Sequence, residues 1–246
     1  MLLWRTVKKN WYFFVIAFAV LAFSCRIWAP SYLIVPLPMK GFVDTMEMFM
    51  PFVLVLPVAF LLYDSFEIEL GLTCGVKTTR LMFVKFASLM LYLLVAAFAM
   101  VALYQYEYFE PDGQFAYYIP FHMPDGYKIY LLVSVFVTSL FFASFYLFAR
   151  VLTKNCYAPV GLGVMLYTIF HKFNNDIHQG TYEIKKCLFD PFLSNYVLGD
   201  KVLTEQYGLE SYWTYNRLLF FGISVVFLIG TYFLLRREKL HQGFND

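Results

Sequence analysis

Six stretches of this chain are apolar almost without interruption, and short polar segments that carry most of the charge separate them. A helix that crosses a bilayer needs about 20 mostly apolar residues at 1.5 Å rise each. Six segments meet that demand: Trp11–Ala29, Asp44–Tyr63, Leu81–Tyr104, Ile129–Ala149, Tyr157–Phe173 and Arg217–Leu235. The second contains Pro51 and Pro57 and should kink. The fifth is short and contains Pro159, Gly161 and Gly163. The expected fold class is an all-α polytopic membrane protein with six transmembrane helices. Residues 1–246 form one transmembrane domain, with no length left for a separate soluble one.

Composition agrees with this. Apolar residues make up 61% of the chain and charged residues 15%, against roughly 45–50% and about 25% in ordinary soluble domains. Aromatic residues reach 22%, more than a soluble fold of this length can hide. A net charge of +2 excludes a polybasic nucleic-acid binder, and high hydrophobicity with few charges excludes disorder. Placing both termini in the cytoplasm puts eleven basic residues (Arg5, Lys8, Lys9, Lys77, Arg80, Lys85, Arg150, Lys154, Arg236, Arg237, Lys239) on the inner side with five acids. The outer side then holds eight basic and twelve acidic residues. Basic residues favour the cytoplasmic face, so this orientation is the expected one. Lys8 and Lys9 precede an apolar run as in a signal peptide, but no small-x-small cleavage site follows, so the first segment reads as a retained helix.

Chemistry inside the membrane looks sparse. The middle of every predicted span lacks Asp, Glu, Lys, Arg and His, whereas proton relays and ion sites usually place ionisable groups there. The alternative for an ion-coupled carrier is a site of backbone carbonyls and the hydroxyls of Ser134, Thr138, Ser139 and Ser144. HExxH, GxSxG and GxGxxG are absent, and Gly75-Val76-Lys77-Thr78 fails the spacing of a phosphate-binding loop. No catalytic residue is therefore expected, nor a bound nucleotide.

Residues 174–216 form an outer loop long enough to be functional or folded. Asp190-Pro191 reads as a helix N-cap followed by Pro at the first position. Phe192, Leu193, Tyr196 and Val197 then repeat on one face, and Gly199 ends the helix. A second short piece runs from Lys201 to Tyr207. Such helices are too short to span and should dip into the outer leaflet, or cap a conduit through Asp190, Pro191, Phe192 and Tyr196. The tyrosines from Tyr104 to Tyr130 read as an interfacial belt. His171 and His178 bracket Asn174-Asn175-Asp176 at a spacing that is no recognised zinc pattern. Cys74 and Cys156 are expected to be cytoplasmic and reduced. Cys25 and Cys187 share the outer half and are expected to be free thiols.

The loop at 64–80 runs Asp64-Ser65-Phe66-Glu67-Ile68-Glu69-Leu70-Gly71, then Gly75-Val76-Lys77-Thr78-Thr79-Arg80, with Lys85 in the following helix. Acids come first and bases last, an order that complements a helix dipole. Phe66 with Leu70 and Ile68 with Leu72 form two apolar stripes, which suits a helix lodged between membrane and partner. Gly71 and Gly75 interrupt it, Thr78 or Thr79 can cap the third span, and Lys85 must snorkel or pair. This order of acid, Gly, Ser/Thr-Arg and Lys resembles the cytoplasmic loop of permease subunits in type-2 ATP-binding-cassette (ABC) exporters. Glu67, Gly71, Thr79-Arg80 and Lys85 occupy the matching places, with Gly75-Val76 where the family often has Pro. The resemblance extends over the chain as six spans, inner termini and short re-entrant helices before the last span.

The resemblance implies a multi-pass permease in a bacterial plasma membrane, paired with a second permease chain as homodimer or heterodimer. A cytosolic ATP-binding-cassette ATPase would bind ATP and magnesium beneath it. Phe66, Glu67, Glu69 and Gly71 would meet that ATPase, and Arg80 and Lys85 would anchor the elbow. An apolar, aromatic conduit favours an amphipathic or hydrophobic cargo such as a peptide, a lipid-linked molecule or a drug. Two other readings stand beside it. One is an ATP-independent channel or sodium-coupled carrier; the other is a non-transporting sensor or immunity protein that binds a peptide through the outer loop.

Overall fold

A computed structural model describes residues 15, 19, 46, 47, 77–103, 106–108, 119–121, 125–155, 157–178, 189–192 and 209–242. Four long helices dominate: α1 (Thr78–Leu103), α2 (Asp125–Thr153), α3 (Ala158–His178) and α4 (Leu209–Gln242). Between α1 and α2 a small antiparallel ribbon pairs β1 (Tyr106–Tyr108) with β2 (Ile119–Phe121), Tyr106 opposite Phe121 and Tyr108 opposite Ile119. Its central pair sets Glu107 against Pro120, a residue that has no N–H to donate and is tolerated because both strands are edges. This ribbon was not expected from the sequence.

Among the described residues, three helices contain segments long and apolar enough to cross a membrane: Thr79–Ala99 in α1, Lys128–Thr153 in α2 and Tyr212–Arg237 in α4. They correspond to the third, fourth and sixth predicted spans. The fifth is a 21-residue helix, about 31 Å long by helix rise, whose apolar part covers Ala158–Phe170. The first two predicted spans, Trp11–Ala29 and Asp44–Tyr63, lie outside the described residues except for Val15, Ala19, Met46 and Glu47.

The helix ends follow local chemistry. The Lys77 carbonyl accepts the Leu81 N–H at 3.1 Å, so Lys77 rather than Thr78 or Thr79 is the N-cap of α1. At the end of α2 the Thr153 hydroxyl donates back to the Ala149 carbonyl at 2.7 Å, and Lys154 takes a left-handed conformation (φ 56°) that stops the helix. Asn155 Oδ1 then accepts the Tyr157 N–H at 2.9 Å, and the Tyr157 carbonyl accepts the Gly161 N–H to open α3. Pro159 falls in the first turn of α3, where its missing N–H breaks no helical bond.

Helix α2 is the hub: 72% of its membrane window is buried, against 22% for α4. Pairs of rings set the directions. Phe141 meets Phe220 at 4.8 Å, Phe145 meets Phe227 at 5.4 Å, and Phe148 lies against both Phe227 and Gly230. Numbers rise together on both helices, so α2 and α4 run parallel. Tyr146 meets Gly163 while Phe142 meets Phe170, so α3 runs antiparallel to α2. The chain thus leaves α2 at its Arg150 end, returns along α3, and starts α4 back at the Lys128 end.

On α4 the buried residues are Trp213, Asn216, Arg217, Phe220, Ser224, Thr231 and Leu235, which follow the helical period along one face. Polar side chains therefore share the inward face with rings. Leu218, Phe221, Val226, Ile229 and Phe233 are exposed on the other face. Lipid is the reason: a polar group is costly against hydrocarbon and turns toward protein. The Ser224 and Thr231 hydroxyls donate to the carbonyls four residues back, Phe220 and Phe227.

Gly163 lets α3 approach α2. A Cβ there would stand 2.8 Å from Tyr146 Cε1 and 3.0 Å from its Cζ and Oη, and Tyr146 is itself buried. Gly163→Ala should therefore cost about 1–3 kcal/mol through overpacking. Gly161 faces open space, so Gly161→Ala should be neutral or gain up to about 1 kcal/mol of helix propensity. Thermal unfolding in detergent measures both; equal stability of the two variants would mean that Tyr146 re-seats freely.

Candidate functional site

One polar cluster lies inside this apolar bundle, and Arg217 is its centre. Arg217 Nη1 donates to Glu47 Oε1 at 2.7 Å and to Thr138 Oγ1 at 2.8 Å, and lies 3.4 Å from the Ser134 carbonyl. Its Nη2 donates to the Pro191 carbonyl at 2.9 Å. The guanidinium thus ties α4 to α2, to Glu47 and to the connection between α3 and α4. Its flat fork of donors is suited to meeting several acceptors at once. The Thr138 hydroxyl stands 3.1 Å from Glu47 Oε1 and 2.9 Å from the Pro191 carbonyl, and gives its one proton to either. One turn earlier on α4, Trp213 Nε1 donates to Ser134 Oγ at 3.1 Å while its ring meets Tyr130 edge-on at 4.7 Å.

The 189–192 segment is clipped into the same place. Asn216 Nδ2 donates to the Asp190 carbonyl at 2.7 Å. Asp190 Oδ1 accepts the Phe192 N–H at 2.9 Å, a local side-chain bond across a turn; the helix expected after it lies outside the described residues. The Phe192 ring stacks on Phe142 at 6.0 Å and meets Phe170 and Tyr167 edge-on. Glu47, Asp190, Phe192 and Asn216 are 0% exposed, Thr138 1% and Arg217 4%.

On α4 the cluster stands near the start of the apolar segment, Arg217 being the sixth residue of Tyr212–Arg237, and on α2 it stands further in. Thr138 stands ten residues along α2 from Lys128 and twelve from Arg150, about 15 and 18 Å by helix rise. On α4 the uncharged run after Arg217, Leu218 to Leu235, covers about 27 Å. Glu47 and Arg217 stand near the starts of the predicted spans Asp44–Tyr63 and Arg217–Leu235 rather than in their middles. Helix α4 starts at Leu209, eight residues before the predicted span, so Arg217 sits in the helix body and meets Glu47.

Asp190 lies in the connection between α3 and α4, outside the spanning helices. Burial pushes its carboxyl up to about 7, and nearby Glu47 adds to the rise; the Phe192 N–H and Arg217 oppose it. Among the described residues, Asp190 Oδ2 and Arg217 Nε are buried without a hydrogen-bond partner.

Of the four candidate hydroxyls, Ser134 and Thr138 are engaged by Trp213 and Arg217, and Ser144 donates to the Phe141 carbonyl. The described residues contain no group of three His, Cys, Asp or Glu able to hold a metal. The predicted cap residues Asp190, Pro191 and Phe192 are brought together, but buried against α2, α3 and α4 rather than laid on a surface. Arg80 is exposed near the start of α1, and Lys85 is 7% exposed further along that helix. Phe66, Glu67, Glu69, Gly71, Tyr196, Cys25 and Cys187 lie outside the described residues. Glu47, Asn216 and Arg217 were missed. Their signal was the Trp213-Asn216-Arg217-Phe220 spacing, which continues the period of the sixth span upstream. No known protein family, characterised protein or solved structure matches this chain.

Proposed function

We propose that the chain is the membrane-spanning permease subunit of an ABC exporter in a bacterial plasma membrane. It moves an amphipathic or hydrophobic cargo with energy from ATP hydrolysed by a separate cytosolic subunit, and it works beside a second permease chain. The observation that carries this reading is the 64–80 loop, with Glu67, Gly71 and Thr79-Arg80 in order, leading into α1. The parallel α2 and α4 with α3 returning between them fit the last three of six alternating spans. Phe66, Glu67 and Glu69 receive the push of the ATPase, and rigid helices transmit it by shifting the balance between inward and outward states.

Charge reversal tests the coupling. Glu67→Lys with Glu69→Lys should leave membrane insertion intact and reduce companion binding or cargo-stimulated ATP hydrolysis at least tenfold in the complex purified from its own membrane. Unchanged assembly together with unchanged stimulation would remove the loop from the mechanism.

A second reading has one observation in its favour. The buried Glu47–Arg217 pair beside Asp190 is the kind of intramembrane ionisable group that marks ion pathways. In that reading the chain is a carrier driven by an ion gradient, without nucleotide.

A further inference from the structure

We infer that Asp190 is a proton-binding site, and that seating the 189–192 segment among α2, α3 and α4 takes up one proton from solvent onto Asp190 Oδ2. The inference stands whether or not an ATPase drives the chain.

The argument begins with where the donors go. Arg217 spends Nη1 on Glu47 and Thr138 and Nη2 on Pro191. Asn216 spends its amide on the Asp190 carbonyl. The Asp190 carboxyl receives one N–H, from Phe192 on Oδ1. Its Oδ2 is fully buried and receives none. An ionised carboxylate in that position would add a second negative charge near Glu47, with the Arg217 guanidinium acting on both acids. Burying a charge without full compensation costs several kcal/mol, and a titratable group escapes the cost by becoming neutral. A proton on Oδ2 leaves Glu47 and Arg217 as a neutral pair.

The charged groups acting on Asp190 are Glu47 and Arg217. Helix α2 presents the Ser134 carbonyl and the Thr138 hydroxyl toward the cluster, α3 presents Tyr167 to Phe192, and α4 presents Asn216 and Arg217. A metal cation fits less well, because the carbonyls of Asp190, Pro191 and Ser134 already accept N–H groups and the Arg217 cation occupies the place between two of them.

The sign follows from linkage. The carboxyl binds its proton more tightly when seated than in an open chain, so seating is undisturbed at low pH. It weakens as pH rises from the open-chain carboxyl value toward the seated value of about 7, and levels off above that, where both forms are ionised. When the segment opens, the proton returns to solvent.

Hydrogen exchange across the segment tests this, on the whole chain in lipid nanodiscs, between pH 4 and pH 9 and corrected for intrinsic rates. The opening constant of the wild-type segment should rise by up to about tenfold per pH unit between about pH 4 and pH 7 for one proton, and level off above that. Asp190→Asn keeps the oxygen that accepts the Phe192 N–H and should show no such rise. Glu47→Gln removes a charge that holds the seated value up, so the rise should be smaller and level off at lower pH. An acid carbonyl band in the infrared spectrum should accompany the seated state at pH 6 and be missing from Asp190→Asn. A wild-type profile flat in pH, or the same slope in Asp190→Asn, would overturn the inference. So would protection at pH 9 restored by sodium in place of potassium, since that outcome would make the site a metal-ion site.

Discussion

Arg217→Met lowers the stability of the folded chain by about 3–5 kcal/mol, the cost of breaking a buried pair from one side. Glu47, fully buried, keeps its charge or its proton with no guanidinium opposite. The Pro191 carbonyl loses its 2.9 Å donor, and the Thr138 hydroxyl must choose between two acceptors with one proton. Arg217→Lys should recover little. One ammonium at the end of a flexible stem cannot reach Glu47, Thr138 and Pro191 with the geometry of a planar fork. The informative companion is Glu47→Leu with Arg217→Met, because removing both charges removes the stranded one. That double variant should regain more than half of the loss, with Thr138 free to serve Pro191. Heat-induced loss of the monodisperse species in detergent reads all three. A single Arg217→Met variant as stable as wild type would mean that the pair does not hold the bundle.

Phe192→Ala should cost roughly 3 kcal/mol, the low end for a buried phenylalanine. In a soluble core, part of the cost is the return of apolar surface to water. Inside a membrane that part is small, because hydrocarbon replaces water as the alternative surroundings. The packing part persists. Phe142, Tyr167 and Phe170 would line a void that nothing else reaches. The loss should therefore be local. The 189–192 segment should exchange its amides at least a hundredfold faster while α2 and α4 keep their protection, because their own ring contacts do not pass through Phe192. Phe192→Leu should restore most of the stability. Uniform loss of protection along α2 would show that the segment is part of the helical core and not a clip upon it.

These two side chains also show what the sequence could and could not reveal. The third and fourth predicted spans, Leu81–Tyr104 and Ile129–Ala149, match α1 and α2 to within four residues at each end. Runs that long and apolar have no other good conformation in lipid. The sixth, Arg217–Leu235, falls inside α4 but starts eight residues late and ends seven residues early. A composition window stops at Arg217 because of the charge, whereas the backbone hydrogen bonds continue back to Leu209. The Asp190 turn was legible because it is local: a side chain accepting an N–H two residues on. Its burial was not. That depends on Arg217 and Asn216, 26 residues away from their carbonyl partners, and on Glu47, 170 residues from Arg217. Spacing along a chain says which face a residue occupies, but not which distant charge will meet it. In a membrane the useful hint is reversed from the soluble case, since Asn216, Arg217 and Ser224 mark the inward face of α4.

The buried charges sharpen the question of what powers the chain, since they favour a gradient while the 64–80 loop favours a nucleotide-hydrolysing companion. Uptake of a fluorescent amphipathic peptide into liposomes decides it, with the purified chain alone and with the assembly extracted from its own membrane. The account predicts accumulation against a gradient only for the assembly with ATP inside the reach of the companion, and none for the lone chain under a proton or sodium gradient. Uphill accumulation by the lone chain under either gradient would contradict it.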